Sequence, residues 1–189
     1  MKIYLVRHAV FLNPNNVFPF HLPLYLSPSG RHHIHRVGEW FKAQHISEIP
    51  VVSSPIVRCV QTAEIIASHT KSDVTLDDRL IEVTNPKLQA TPRPNDHWKT
   101  EESDPDTETH TDILMRMKSW MNDMIKTGGD VIGVSHATPL TLLYFTLTGQ
   151  SIPEHLWSPE HESNNIQRGE IAVLTIENKI FSKAERITV

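Results

Sequence analysis

Two histidines sit at the same kind of place in this chain. Lys2-Ile3-Tyr4-Leu5-Val6 reads as a short buried strand that stops at Arg7-His8. Asp130-Val131-Ile132-Gly133-Val134 reads as a second buried strand, and it stops at Ser135-His136. Packing does not ask for a polar, ionisable pair at the end of an apolar strand. A crevice does, because open α/β sheets bind their ligands beyond the carboxyl ends of the strands. Arg7 offers a planar fork of donors matched to a phosphate. A neutral His8 offers a lone pair able to attack phosphorus and form a covalent intermediate. A further cation, Arg58, falls in the first turn expected of a helix, where the helix dipole disfavours it. Its position makes sense if an anion binds at that helix N-terminus, with arginine and free N–H groups acting together. Glu82 taken alone reads as a surface carboxylate.

The elements that must position these groups alternate between strand and helix, the pattern of an α/β fold. After the first strand, residues 9–26 form a long loop broken by Pro14, Pro19 and Pro23. The loop is unusually apolar, so it packs back on the core or lines a pocket or a subunit interface. Ser27-Pro28 is an N-cap followed by proline at N1, opening a helix with Ile34, Val37 and Phe41 on its apolar face. Pro50-Val51-Val52-Ser53 is a short strand, and Ser54-Pro55 marks the start of a helix whose stripe includes Cys59, Ala63 and Ile66. Val74-Thr75-Leu76 is a third strand. Asp112 to Ile125 is a helix with Ile113, Met117, Trp120 and Met121 buried, ended at Thr127-Gly128-Gly129. Ala137 to about Leu147 is an apolar helix stopped by Gly149, and Glu170–Ile176 with Lys179–Ile187 forms a terminal hairpin.

Residues 84–111 have another character. They hold four prolines, no glycine, and acidic residues at Glu101, Glu102, Asp104, Asp106 and Glu108. This is read as an excursion from a single domain spanning 1–189, either solvated or acting as a lid, since long loops on a rigid scaffold often cover a site.

Composition limits the options. The chain has 189 residues with a formal net charge of -4, against a nucleic-acid binder that relies on bulk positive charge. No apolar run reaches the roughly 18 residues of a membrane span. One cysteine, Cys59, rules out an intramolecular disulfide and fits a reducing, cytoplasmic setting. It is read as a packing residue. The 12 histidines raise the question of a metal. Of His32, His33 and His35, only His32 and His35 have ligand spacing on a helix, without a carboxylate in register, so a solvated helix face is expected and no metal or cofactor.

Four segments together resemble the histidine phosphatase (phosphoglycerate mutase-like) superfamily, branch 1. Leu5-Val6-Arg7-His8-Ala9 is similar to its Arg-His-Gly signature, and Ser53-Ser54-Pro55-Ile56-Val57-Arg58 to its second arginine motif. Asp78-Arg79-Leu80-Ile81-Glu82 resembles its acid-bearing segment, and Val134-Ser135-His136-Ala137-Thr138-Pro139 its second histidine motif. The resemblance implies a mostly parallel central sheet flanked by helices, with the site at the strands' carboxyl ends. It implies that His8 becomes phosphohistidine, that Arg7, Arg58 and a protonated His136 surround the phosphoryl oxygens, and that Glu82 serves as the general acid. Ala137 and Asn13 complete the implied phosphate-binding set. Ala9 and Ala137 stand where the motifs carry glycine, and Val10-Phe11 replaces residues that are polar in the family's mutases.

The function expected is a metal-independent phosphomonoesterase of the histidine acid phosphatase type. A phosphoglycerate mutase and a non-catalytic phospho-ligand binding module are the alternatives. The partner expected is a small-molecule phosphate ester, with neither nucleic acid nor membrane, and a homodimer is an open possibility. The apolar loop suggests a substrate with an aromatic or apolar leaving group.

Overall fold

The computed structural model describes residues 1–99 and 106–189. Six strands form one sheet in the order β3-β2-β4-β1-β5-β6. They are β1 (Lys2–Arg7), β2 (Val51–Ser53), β3 (Val74–Leu76), β4 (Val131–Ser135), β5 (Ile171–Glu177) and β6 (Ile180–Ile187). Pairs β1–β4, β2–β4 and β2–β3 are parallel, whereas β5 and β6 add antiparallel to one side. The hairpin turns at Asn178 and Lys179, both left-handed at φ 51° and 65°, as a two-residue loop between twisted strands requires.

Side-chain alternation along β1 builds both layers. Ile3 and Leu5 join a core with helices α3 (His110–Thr127) and α4 (Ala137–Thr148). Tyr4 and Val6 join the opposite core with α1 (Pro28–Ala43) and α2 (Val57–Thr70). A strand buried on both faces reads as a continuous apolar run, as β1 and β4 do. The fold is therefore the helix-flanked, mostly parallel α/β sheet expected.

Local signals explain most boundaries. Ser27 caps α1 by accepting from the Gly30 N–H at 3.0 Å. A Cβ on Gly30 would come within 2.0 Å of the Val10 carbonyl oxygen, so only glycine lets α1 lie against the loop after β1. Thr109 and Asp112 form a reciprocal capping box that starts α3 two residues before the expected Asp112. Helix α2 begins at Val57, later than Ser54-Pro55 suggests, and has no side-chain cap. The Ser54 hydroxyl is committed elsewhere, as described below.

The two irregular segments fold on each other. Phe18 N–H donates to Thr91 O at 2.9 Å, Ala90 N–H to Phe18 O at 3.0 Å, and Arg93 N–H to Asn16 O at 2.9 Å. Phe18 and Phe20 are buried and stacked, with centroids 5.6 Å apart. Thus the apolar loop does fold inward, and the described part of the excursion is pinned to it. Glu101, Glu102 and Asp104 lie outside the described residues. The histidine-bearing face of α1 is only partly solvated: His32 and His35 are exposed, but His33 packs against Gly169 and His35 Nδ1 lies 3.1 Å from His69 Nε2. No described helix is long and apolar enough to cross a membrane.

Candidate active site

Parallel pairing brings the two histidine-bearing strand ends together. In the β1–β4 register Arg7 stands opposite Ser135, and the His8 N–H donates to Ser135 O at 3.0 Å. The next residues, His8 and His136, then face one another with ring centroids 5.2 Å apart. Both are buried, at 3% and 0% exposure.

Arg58 joins them. It is 1% exposed, and its Nε donates to His8 Nε2 at 3.2 Å while Nη2 donates to His136 Nδ1 at 3.1 Å. The same guanidinium is anchored by Phe20 O at 2.6 Å and Leu22 O at 3.3 Å. The inward fold of the 9–26 loop thus supplies the carbonyls that hold this cation. Arg7 is held through Nη1 donating to Ile166 O at 2.7 Å, with its guanidinium 5.6 Å from the Trp157 ring.

These bonds settle the protonation of both imidazoles. Arginine only donates, so His8 Nε2 and His136 Nδ1 are both acceptors. The remaining His8 nitrogen, Nδ1, donates to Ala9 O at 2.8 Å. The remaining His136 nitrogen, Nε2, donates to Ser54 Oγ at 2.9 Å. Burial first, then the charge of Arg58, holds both histidines well below their ordinary pKa of 6.5. The expectation of a protonated His136 is therefore corrected: in the free protein it is a neutral ring. Burial and the neighbouring Arg168 lower Arg7 to about 10, which leaves it charged at neutral pH.

A cavity of about 280 Å3 opens onto this cluster. Arg7, His8, Arg58, Glu82, Ala137 and Asn13 all contribute to its wall, so every expected residue but the fully enclosed His136 reaches it. Asn13 spends both ends of its amide on its own loop, bonding Val17 O at 2.8 Å and Val17 N at 3.2 Å. Ala137 is the first residue of α4, with His136 as N-cap, so the free N–H groups of that helix start beside the cluster. Neither Ala9 nor Ala137 has a positive φ, which is why alanine replaces the motif glycines without strain. Glu82 takes the Val83 N–H on Oε1 at 3.1 Å. Its backbone is tethered by Arg116 of α3, which donates to Glu82 O at 3.4 Å, to Arg79 O at 2.7 Å and to Glu108 Oε1 at 2.6 Å. Cys59 is buried, its Sγ 3.4 Å from Ser135 O and 3.3 Å from His136 Nε2, and burial raises its pKa, as suits a packing residue.

Five contributors were not foreseen in these roles. Ser54, whose Ser-Pro context marks a helix start, accepts the Ile56 N–H at 3.3 Å and also orients His136. Phe11 lies 5.4 Å from the His8 ring, and the guanidinium carbons of Arg58 and Arg168 stand 5.1 and 5.2 Å from its centroid. Arg93 and Arg168 also line the cavity, together with Glu162. Arg168 arrives because β5 runs antiparallel to β1, so the loop leading into β5 reaches the carboxyl end of β1. There Gly169 N–H donates to Arg7 O at 3.0 Å.

The sequence matches the histidine phosphatase superfamily (branch 1) over residues 3–179. No curated protein matches it. Among solved structures, the chain is similar to YhfR of Bacillus stearothermophilus, at 18% identity and a TM-score of 0.79, over 96% of this chain and 94% of that one. It is similar to the α-ribazole phosphatase of Shigella flexneri, at 17% identity and 0.76, over 96% and 94%. It also resembles a mycobacterial glucosyl-3-phosphoglycerate phosphatase, at 18% identity and 0.74, over 98% and 95%. At these identities the likeness is one of fold.

Proposed function

The chain belongs to the histidine phosphatase superfamily, branch 1, and from that premise we propose that it is a metal-independent phosphomonoesterase working through phosphohistidine at His8. The observation that carries this reading is the state of His8: a neutral ring, Nδ1 tied to Ala9 O, with the Nε2 lone pair turned to Arg58. An arriving phosphoryl group takes over the Arg58 N–H and leaves that lone pair free to attack. The P–N bond forms as the ester P–O bond breaks, and Glu82, in its acid form, gives its proton to the leaving oxygen. Water then attacks the phosphohistidine, Glu82 receives the water's proton, and inorganic phosphate departs.

Phosphoryl transfer of this kind spreads negative charge over three equatorial oxygens. Arg7 and Arg58 meet that charge directly, and preorganised donors of this sort give the largest single catalytic contribution in many enzymes. Because His136 is neutral, the third cation of the cradle is Arg168, poised over Phe11. The phosphatase names of the two structural neighbours above agree with hydrolysis. Phe11 at the cavity wall, in place of a polar residue, also favours hydrolysis over mutase activity.

The test is to trap labelled phosphate on the protein from a phosphomonoester and repeat with His8→Ala. Label lost in the variant and activity kept in excess chelator support the proposal. Undiminished labelling overturns it.

A further inference from the structure

Beside the phosphoryl cavity lies a second one, of about 360 Å3. The two share Phe20, Val83, Thr138 and Trp157 as common wall, so a molecule seated in one continues into the other. Trp157 is the partition, with the Arg7 guanidinium 5.6 Å from its ring. Trp98 and Glu154 also line it.

Two of the residues lining it, Asn85 and Thr107, each carry a buried side-chain polar atom without a partner among the described residues. Asn85 is 2% exposed. Its Oδ1 accepts the Leu88 N–H at 3.0 Å, which fixes the amide so that Nδ2 is the other end, and that buried donor has no partner among the described residues. The Thr107 hydroxyl is likewise buried and unpaired. Buried donors are rarely left unsatisfied, and each exception calls for an explanation. A ligand acceptor provides one.

Resting on the reading of the first cavity as the phosphoryl site, we infer that the second cavity is a subsite for the leaving alcohol, and that it takes a neutral, ring-bearing alcohol rich in hydrogen-bonding groups. The two tryptophans and Phe20 give flat faces for a ring. Asn85 Nδ2 requires an acceptor on it. The exposed Glu154 carboxylate accepts only, so it favours a hydroxyl or amine and disfavours an anionic leaving group, whereas Glu108 is already paired with Arg116 at 2.6 Å. A sugar or nucleoside monoester meets these demands, whereas a simple alkyl phosphate leaves Asn85 unpaired.

Asn85→Asp removes the donor and keeps the acceptor that Leu88 needs; Trp98→Ala removes a face that is only half-buried. Affinities of ethyl phosphate, glucose 6-phosphate and adenosine 5′-monophosphate are measured in a His8→Gln background, where no intermediate forms, so the outcome does not depend on turnover. At least one ring ester should bind about tenfold or more tighter than ethyl phosphate, the scale of one well-paired buried donor. Asn85→Asp should erase most of that advantage, and Trp98→Ala part of it, with ethyl phosphate unchanged. Equal binding of all three esters, or an equal loss for all three in Asn85→Asp, overturns the subsite. If phosphohistidine is never trapped in the unmodified protein while the ring preference stands, the hydrolytic mechanism fails and the subsite survives.

Discussion

Arg58 donates to His136 Nδ1 at 3.1 Å, so the second histidine of the cluster can hold no proton there. With Nε2 engaged at Ser54, the ring is locked as one neutral tautomer. His8 is locked the other way round, Nδ1 donating and Nε2 accepting. The cluster thus keeps two imidazoles neutral beside permanent cations, and the positive charge of the site lies on arginine alone.

That arrangement makes stability depend on pH with a definite sign. Both folded-state pKa values lie well below 6.5, so on acidification the unfolded chain takes up protons that the folded chain refuses. Stability is complete above the unfolded value and falls as pH drops through it towards the folded values. Each histidine contributes up to about 1.4 kcal/mol per pH unit in that window. Chemical denaturation at pH 7.5 and 5.5 measures it. His8→Asn should show a shallower decline, by up to one proton; an unchanged slope would refute the neutral assignment.

Much of this was written in the sequence, and the reasons differ by residue. Arg7, His8 and His136 are legible because each stands at the carboxyl end of a strand buried on both faces, where a polar residue has no packing reason to be. Arg58 is legible because a cation in a first helical turn contradicts the dipole. The bond of Ser54 to His136 was not legible: Ser-Pro is a helix-start signal, which the Ile56 N–H donating to Ser54 Oγ fits, and nothing local reveals a histidine 82 positions away. Arg93 and Arg168 were invisible for the same reason, and Phe11 was legible only as a departure from the family's polar residues, not as the ring both arginines approach. They lie in irregular segments, and their placement depends on how two loops pair and on β5 running antiparallel. Pairing of that kind is tertiary and leaves no periodicity.

Arg168 is expected to behave as a phosphoryl-binding cation. Its guanidinium and that of Arg58 flank one aromatic ring at nearly equal distance, 5.2 and 5.1 Å. Arg168→Gln should lower kcat/KM about tenfold or more, and by a similar factor for every monoester, because the phosphoryl group is common to all. Arg168→Lys should restore only part, since an ammonium lacks the planar fork. An effect confined to one substrate would assign Arg168 to the leaving group instead.

Arg116 should act through Glu82 without touching substrate. Its bonds to Arg79 O, Glu82 O and Glu108 hold the segment that presents the carboxylate. Small displacements of a positioned group carry large kinetic penalties. Arg116→Met is expected to reduce kcat/KM, which reads the phosphorylation step and not the hydrolysis of phosphohistidine common to all substrates, about tenfold for esters of poorly acidic alcohols, which need the proton most. Good leaving groups such as p-nitrophenol should be nearly unaffected. Equal losses for both kinds of ester would show general unfolding of the segment.

Gly30 links the fold to the site through one steric fact. A methyl group there would sit 2.0 Å from Val10 O, and that carbonyl also accepts from Ser27 N–H at 2.9 Å. Neither α1 nor the loop can yield alone, because Leu12 N–H is bonded to Tyr25 O at 2.9 Å and Phe11 bridges to Leu26. Gly30→Ala should therefore cost about 1–3 kcal/mol, the range for overpacking a close-packed contact. The strain falls on Val10, next to the Phe11 ring that both arginines approach. Activity should accordingly drop in the fraction that remains folded, not only in proportion to the unfolded population. Thermal melts alongside kcat/KM at a temperature where the variant is fully folded separate the two; a destabilised variant with normal kcat/KM would show that Phe11 does not position the arginines.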